Sequence, residues 1–424
     1  MFRMKYALLS LALTALFATN ALAAPAQGPA QMTAGTGKAD ISPQASLLPI
    51  QNNPGDPQLA SIHDPLFARA LVLENGRATV ILVVADMIIL PDDAYDRIVA
   101  KLAETYHVPK DHIWLTATHC HTVPWTLANG YEDTVTQGIM AAVATASAHQ
   151  EPVTVGSGTG QAYININRDE KTAKGFILGQ DPGGPSDKTV RVVGLFRADG
   201  SPLAILANYA VHAVALHSSF TADGKGVISA DIPGAADAFL DAHYPDSQAF
   251  WTSGAAADQN PVMMSIYAEP QADGSTPVTD LKDAGLAVPQ RLGQDLALEI
   301  VRVTDSIKPR PAATLRAAQE VITCPTRADP KVMKPLRISY LDIGGISLVG
   351  VSGEVDTLID THLRRLNPKR SPLMLTLTNG YGGYLPDDGS YKRGQTFEVQ
   401  KTFFAPGCVE TSIVKAATRL MNGR

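Results

Sequence analysis

The sequence predicts an α/β fold, built as a single large mixed-sheet domain with helices packed on the sheets. Short apolar strands and helical segments follow one another in the order β-α-β-α, which is typical of a sheet covered by helices. Glycine-containing turns join other apolar runs into hairpins. The sequence has no internal repeat and no low-complexity linker, so one domain is the simplest architecture.

Three hairpins are predicted from pairs of apolar runs. The dipeptides between the paired runs are rich in Asn, Asp and Gly, which tolerate the positive φ angles of tight turns. The predicted pairs are 68–73 with 79–85 through Asn75-Gly76, 190–197 with 203–209 through Asp199-Gly200, and 336–343 with 347–351 through Gly344-Gly345.

The first helix is predicted to begin near Pro91, because proline suits the first helical position. Asp92 and Asp93 then stabilise the positive end of the helix dipole. Later segments also have the composition of helices, and one short apolar run predicts a buried strand. The strand is expected at 113–118, and further helices are expected at 135–149, 233–243, 288–303, 355–366 and 409–421.

The N-terminus has the features of a secretory signal peptide. Arg3 and Lys5 precede an apolar run at 7–17, and the small-residue sequence Ala21-Leu22-Ala23 follows. We therefore expect a secreted or periplasmic protein. The expected organisation is a signal peptide at 1–23, an irregular segment rich in Pro, Gly, Gln and Asn at 24–57, and the folded domain at 58–424.

Composition excludes several classes of partner. The 35 basic and 41 acidic residues form no basic block, so nucleic acid is not expected. After the signal peptide no run approaches the roughly 20 apolar residues of a membrane helix.

Of the three cysteines, Cys120 is expected to be a buried thiol near the site. Cys324 and Cys408 are the better candidates if a disulfide forms.

Histidines and a carboxylate follow the predicted strands. His119 and His121 lie two residues apart at a strand end, so both can point toward one metal ion or one substrate group. His212 follows another strand and is a plausible third imidazole, although such histidines can also be capping or core residues. Glu354 lies between a strand and a helix, where it can ligate zinc or complement the helix N-terminus.

Taken in order, the motifs resemble those of the neutral, non-lysosomal ceramidases. They are THCH at 118–121, NYAVH at 208–212, a small-residue loop ending in Asn260-Pro261, SGE at 352–354 and NGYGGYL at 379–385. The resemblance also includes ADISP at 39–43, Ala85-Asp86 and Asn165-Ile166-Asn167-Arg168. It therefore spans almost the whole chain after the predicted signal peptide.

This resemblance implies one zinc ion per chain and a site made from six residues. The implied zinc ligands are His119, His212, Glu354 and Tyr384. His121 would lie beside the metal to stabilise an oxyanion or move a proton, and Arg168 matches a family arginine close to the site. The implied activity is zinc-dependent cleavage of an amide (N-acyl) or ester bond in a small or lipid-like acylated substrate.

The sequence departs from the family pattern at Asp258, which occupies the position of the serine often described as the ceramidase nucleophile. A metal-activated water as the nucleophile then gives the simpler mechanism, in which Asp258 or His121 transfers the proton. The catalytic residues predicted from the sequence are therefore His121, Asp258 and Arg168. No counterpart of the family's C-terminal immunoglobulin-like domain is expected, so a general amidase or esterase competes with a true ceramidase.

Two other functions compete with this hypothesis. A serine hydrolase is disfavoured because the sequence contains no Gly-x-Ser-x-Gly motif. An exported protein that holds a structural or transported metal remains an alternative, because four protein ligands are typical of structural zinc. The additional polar residues His121, Arg168 and Asp258 favour catalysis. The sequence predicts neither the leaving group nor the oligomeric state.

Overall fold

The computed structural model describes residues 31–423, apart from 126, 128, 129, 218–220, 222, 269–274 and 276. The predicted signal peptide at 1–23 lies outside the described residues, as does 24–30 of the expected irregular segment. The described residues form mixed sheets with helices packed against them, which confirms the predicted α/β fold class.

Six of the eight α-helices in the described residues are close to positions predicted from the sequence, and the two short helices α6 and α7 were not predicted. Short 3₁₀ turns occur at Ala45–Leu47, Lys110–His112 and Lys282–Leu286. The α-helices are α1 (Asp92–Tyr106), α2 (Tyr131–Ala148), α3 (Asp231–His243), α4 (Ala287–Ser306), α5 (Thr357–Leu366), α6 (Asp388–Arg393), α7 (Phe397–Lys401) and α8 (Val409–Met421).

The strands include all three predicted hairpins. In the first half of the chain they are β1 (Thr33–Asp40), β2 (Leu59–Ile62), β3 (Phe67–Glu74), β4 (Thr79–Ala85), β5 (Ile113–Ala117), β6 (Glu151–Pro152), β7 (Thr154–Gln161), β8 (Asn165–Thr172), β9 (Gly175–Asp181), β10 (Thr189–Phe196) and β11 (Pro202–Tyr209). They continue with β12 (Gly226–Ile228), β13 (Gln248–Ser253), β14 (Gln259–Pro261), β15 (Ile266–Ala268), β16 (Val278–Asp280), β17 (Arg310–Pro311), β18 (Leu315–Pro325), β19 (Met333–Ile343), β20 (Ile346–Val351), β21 (Glu354–Val355), β22 (Leu373–Leu375) and β23 (Tyr384–Leu385).

Three larger sheets surround a shared apolar core. Their strand orders are β5-β4-β3-β1-β6, β13-β11-β10-β7-β17 and β18-β19-β20-β22. The inner faces of all three sheets contribute to one buried cluster, with Leu82 from the first sheet, Leu206 from the second and Leu341 from the third. Helices cover the outer faces: α1 and α2 on the first sheet, α3 and α4 on the second, and α5 and α8 on the third.

Strands buried on both faces explain the continuous apolar runs in the sequence. In β3, Leu71 and Leu73 enter the central core, whereas Ala70 and Val72 pack against the helices on the opposite face. Successive side chains of a strand point to opposite faces, so a sheet covered on both sides needs apolar residues at every position. Hydrophobic runs without alternation are therefore correct strand signals in this protein.

The expectation of an irregular segment throughout 24–57 was wrong for β1. This strand pairs antiparallel with β3 along its full length, from Thr33 opposite Glu74 to Asp40 opposite Phe67. Its sequence is rich in small residues because α2 packs directly over it. A Cβ atom at Gly35 or Gly37 would overlap carbonyl oxygens of α2. The glycines that obscured the strand in the sequence are therefore required by the packing of the helix.

Both expectations for the cysteines are confirmed. Cys324 and Cys408 form a disulfide with a Cα–Cα distance of 5.8 Å, which joins β18 to the start of α8. Cys120 is a buried free thiol one residue from His119, and it donates to the backbone carbonyl of Ala230 at 2.9 Å.

None of the helices described in the structure has the length and apolar character needed to cross a membrane.

Candidate metal centre

The candidate centre lies where parallel strands of the three large sheets end. β5 is parallel to β4, β11 is parallel to β13, and β22 is parallel to β20. His119 follows β5, His212 follows β11, and Glu354 follows β20. Residues beyond the carboxyl ends of parallel strands commonly form binding sites in α/β folds. The structure thus brings together three predicted ligands that are far apart in the sequence.

The backbone fixes the ring orientation of both predicted histidine ligands. His119 has a positive φ of 67°, and its Nδ1 atom lies 2.7 Å from the carbonyl oxygen of Ile88. The Nδ1 atom of His212 lies 2.5 Å from the carbonyl oxygen of Ala256. A carbonyl oxygen only accepts hydrogen bonds, so each Nδ1 is assigned the proton. In the neutral imidazole each Nε2 atom therefore carries a lone pair directed into the site.

The two Nε2 atoms meet the carboxylate of Glu354. Its Oε2 atom lies 3.1 Å from Nε2 of His119 and 3.2 Å from Nε2 of His212. All three side chains are buried. Burial lowers the pKa of His212 to about 3, with the charge of Arg168 as a further cause. Burial alone would raise the pKa of Glu354, whereas positive charge at the two facing ring nitrogens lowers it well below its usual range. With the protons on both Nδ1 atoms, a bound cation is the group that can supply this charge.

This donor set fits a bound cation. A neutral His212 and an ionised Glu354 present two acceptors to each other, and two facing lone pairs repel unless a positive charge lies near both. Imidazole nitrogen and carboxylate oxygen are ordinary ligands of Zn²⁺. The Nδ1 bonds to backbone carbonyls are also the outer contacts that metal-binding histidines typically make. The residues present therefore fit the zinc ion that the sequence motifs implied.

His121 lies at the same centre and is only partly buried. Its Nε2 atom is 3.3 Å from Nε2 of His119, and one ring nitrogen from each of His119, His121 and His212 fits within 4.8 Å of the others. Its Nδ1 atom is buried and has no hydrogen-bond partner among the described residues. The geometry therefore allows His121 to be a third imidazole ligand, as well as the proton-moving neighbour predicted from the sequence.

Two tyrosines of the loop at 379–385 approach Glu354. Tyr384 pairs with Glu354 in the short parallel ladder of β21 and β23. Burial and the charge of Glu354 raise the pKa of Tyr384 well above its usual value, whereas Arg168 lowers it. The Tyr381 hydroxyl donates to Oε1 of Glu354 at 2.8 Å. Sequence reasoning did not select Tyr381 as a site residue, although it lies in the same motif, three residues before Tyr384.

Arg168 lies at the edge of the centre, as predicted, and is almost fully buried. Its guanidinium carbon is 5.6 Å from the ring centre of Tyr384 and 5.0 Å from that of Phe397. Its Nε and Nη2 atoms each lie 2.9 Å from Oε1 of Glu398. Burial alone would lower the pKa of Arg168, but its interactions with Tyr384 and Glu398 raise it. Glu398 was not recognised in the sequence, because nothing near it marks a site.

Asp258 is fully buried, and its carboxylate is held by the scaffold. Oδ1 accepts a hydrogen bond from the backbone N–H of Thr357 at 2.9 Å, and Oδ2 accepts one from Asn167 at 3.1 Å. Its backbone carbonyl accepts from the N–H of Arg168. Burial raises the pKa of Asp258 to about 6. These contacts connect Asp258 to α5 and β8, so its predicted catalytic role rests on the sequence motif alone.

A fourth histidine lies on the other side of His121. The rings of His121 and His217 are 5.1 Å apart, and Nδ1 of His217 is 3.6 Å from Oδ2 of Asp56. Asn53 lies close to both histidines, with its amide nitrogen 3.3 Å from the carbonyl oxygen of His121 and 3.5 Å from Nδ1 of His217. The position of His217, five residues after His212, was the available sequence signal.

The sequence matches no protein-family model and no curated protein sequence. Two solved structures are similar to almost the whole chain. The neutral ceramidase from Pseudomonas aeruginosa has a TM-score of 0.75 and 16% identity over 93% of this chain and 75% of that chain. A ceramidase complexed with C2 has a TM-score of 0.73 and 16% identity over 93% and 76%. This chain therefore has the neutral ceramidase fold, as the sequence motifs predicted.

Proposed function

We propose that this chain, which has the fold of the neutral ceramidases, is an exported zinc-dependent hydrolase that cleaves an amide or ester bond of an acylated substrate. One zinc ion per chain would be held by His119, His212, Glu354 and Tyr384. The observation that carries this proposal is the meeting of two unprotonated imidazole nitrogens with one buried carboxylate oxygen. Such a set of acceptors is stable when a cation occupies it.

Zinc at this position would supply Lewis-acid chemistry, polarising a carbonyl and lowering the pKa of water to about 7. His121 is the residue best placed to move a proton during hydrolysis. It lies beside His119, is partly exposed, and keeps Nδ1 free of other protein groups among the described residues. Arg168 would orient Tyr384 and stabilise negative charge at the edge of the site.

Asp258 keeps a proposed role in proton transfer as the alternative to His121. Its carboxylate oxygens would have to give up the bonds to Thr357 and Asn167 to take part. This cost favours His121.

Two features support export. The N-terminal sequence has the composition of a signal peptide. The disulfide between Cys324 and Cys408 is typical of an oxidising compartment such as the periplasm or the medium. For the substrate, the similar solved structures are ceramidases. We therefore propose a lipid-like or smaller N-acyl compound, with acyl esters as a second class.

The competing function is a structural or transported metal without hydrolysis. Four protein ligands would close a tetrahedral site, which is the property that favours this alternative. Two polar residues beside the centre, His121 and Tyr381, are not among the four proposed ligands and are only partly buried, which favours catalysis.

Elemental analysis of the purified mature protein tests the metal site. We expect close to one zinc per chain in the wild type and almost none in His212→Ala, with zinc retained in the control His149→Ala at the end of α2. Hydrolysis of N-acyl and ester substrates is then measured before and after chelation. Loss of activity with an unchanged circular dichroism spectrum supports the enzyme. Unfolding on chelation supports the structural metal, and a metal-free wild type contradicts both.

A further inference from the structure

Glu398 provides the main anchor for Arg168. The side chain of Glu398 is fully buried at the start of α7. Its Oε1 atom accepts a hydrogen bond from Nε of Arg168 and lies 2.9 Å from Nη2 in the same ion pair. The remaining guanidinium nitrogen, Nη1, lies 3.4 Å from the side-chain oxygen of Asn260. The ion pair therefore fixes the plane of the guanidinium, and the rings of Tyr384 and Phe397 lie against it. An arginine held in this way cannot leave Tyr384 without losing its counter-ion.

The same region contains too many carboxylates for all of them to be ionised. Asp169, Asp258 and Asp356 are buried close to Glu398 and act on one another electrostatically. Of the charges that act most strongly on Asp169, only Arg168 is positive, whereas Glu398 and Asp258 are negative. Buried like charges in contact share protons, because a second ionisation in the same pocket is unfavourable.

Asp169 is the carboxyl group best suited to hold the proton. Both of its carboxylate oxygens are buried and have no hydrogen-bond partner in the part of the chain that the structure describes. An ionised carboxylate without a donor is costly, whereas a protonated carboxyl can donate to a neighbour. Oε2 of Glu398 also lacks a partner among these residues. A side-chain hydrogen bond with Glu398 contributes to the raised pKa of Asp169, so Glu398 can accept the bond. Burial, Glu398 and Asp258 raise the pKa of Asp169 to about 8.

We propose that Glu398 and Asp169 are positioning residues of this site: Glu398 fixes Arg168 beside Tyr384, and the protonated carboxyl of Asp169 donates to Glu398. This inference rests on the proposed hydrolase function, because it assigns the pair a role in orienting Arg168 and Tyr384. Ionisation of Asp169 would place a second negative charge beside Glu398 and pull the guanidinium away from Tyr384. The wild type should therefore lose activity as the pH rises through about 8.

Infrared difference spectroscopy tests the proton without relying on activity. The wild type and Asp169→Asn are labelled with ¹³C at the aspartate carboxyl carbon and compared at neutral pH, both with and without zinc. We expect the difference spectrum to show one protonated carboxyl C=O band, which disappears from the wild type above pH 8. A carboxylate band at neutral pH would overturn the proposal. Asp237 forms another buried ion pair, with Arg69. The control variant Asp237→Asn identifies the bands that any buried aspartate would give.

Kinetics test the positioning role separately. Glu398→Gln should lower kcat by about 10-fold to 100-fold, because it removes a charge-assisted bond to Arg168, with zinc stoichiometry unchanged. Asp169→Leu should lower kcat by about 10-fold. Asp169→Asn should recover most of this loss, since its amide can donate to Glu398, and should abolish the fall in activity above pH 8. Equal activity of the Leu and Asn variants, or a change in KM alone, would overturn the positioning role.

The two experiments separate this inference from the proposed function. If the wild type hydrolyses none of the substrates, the hydrolase proposal fails, whereas the infrared result still decides whether Asp169 holds the proton. If hydrolysis is found and the infrared band is absent, the function stands and the inference fails.

Discussion

The Nε2 atom of His212 faces the Oε2 atom of Glu354 at 3.2 Å, and the proton of the imidazole lies on the opposite nitrogen, against the carbonyl oxygen of Ala256. Burial lowers the pKa of His212 to about 3, which favours a neutral ring near neutral pH. Two hydrogen-bond acceptors therefore face each other. A cation between them is the simplest way to stabilise this arrangement.

Removing the charge of Glu354 should abolish tight zinc binding. We expect Glu354→Gln to weaken zinc affinity by about 100-fold or more, because it replaces an anionic ligand with a neutral amide. Competition with a chromophoric chelator measures the affinity. Glu410→Gln is the matched control, since Glu410 also contacts a histidine, His362 at 2.7 Å, away from the centre. Equal zinc affinity of wild type and Glu354→Gln would exclude Glu354 as a ligand.

Tyr381 should support the centre through Glu354. Tyr381→Phe removes the hydroxyl that donates to Oε1 of Glu354, and we expect zinc affinity to fall by about 10-fold, the usual effect of losing an outer contact to a ligand. Tyr384→Phe should cause the larger loss if Tyr384 is a ligand. Tyr163→Phe serves as the control, because this side chain is 67% exposed. The opposite order of effects would assign the ligand role to Tyr381.

Asp258→Asn should reveal a structural role. One of the two bonds to Thr357 and Asn167 would become a contact between two donors, which costs about 1–3 kcal/mol of unfolding free energy. We expect urea denaturation to show this loss, with zinc retained and kcat within about threefold of wild type at a temperature where both proteins are folded. Abolished turnover in the folded, zinc-loaded variant would instead support the catalytic role predicted from the sequence.

The disulfide should contribute substantially to stability. Cys324 and Cys408 are 84 residues apart in the sequence, and closing a loop of this length stabilises a fold by about 4–5 kcal/mol in the chain-entropy estimate. The double variant Cys324→Ser, Cys408→Ser should therefore unfold at lower urea concentration and keep its zinc while folded. Cys120→Ser is the control for thiol removal alone. A double variant as stable as wild type would contradict this expectation.

Local sequence signals predicted most of the fold. Strands such as β3 and β4 are continuous apolar runs, and α8 occupies the predicted range 409–421. The strand β1 was missed because Gly35 and Gly37 serve the close approach of α2, a tertiary requirement that has no local signature.

The site was predicted where chemistry and motif order agreed. His119, His212 and Glu354 meet as expected, since each follows a recognisable strand. Glu398 and Tyr381 were missed because their roles depend on partners more than 20 residues away, Arg168 and Glu354. Asp258 was selected by its alignment with a family serine, which gives a position along the chain and does not determine where the side chain points.

The three residues His119, His212 and Glu354 follow strands of three different sheets, and 235 residues separate the first from the last. No single sheet with its helices can assemble the centre, so a partly folded chain would lack it. Metal uptake would then report completion of folding, and zinc added during refolding should bind in the slowest phase. The metal would serve as an internal marker of a correctly assembled chain.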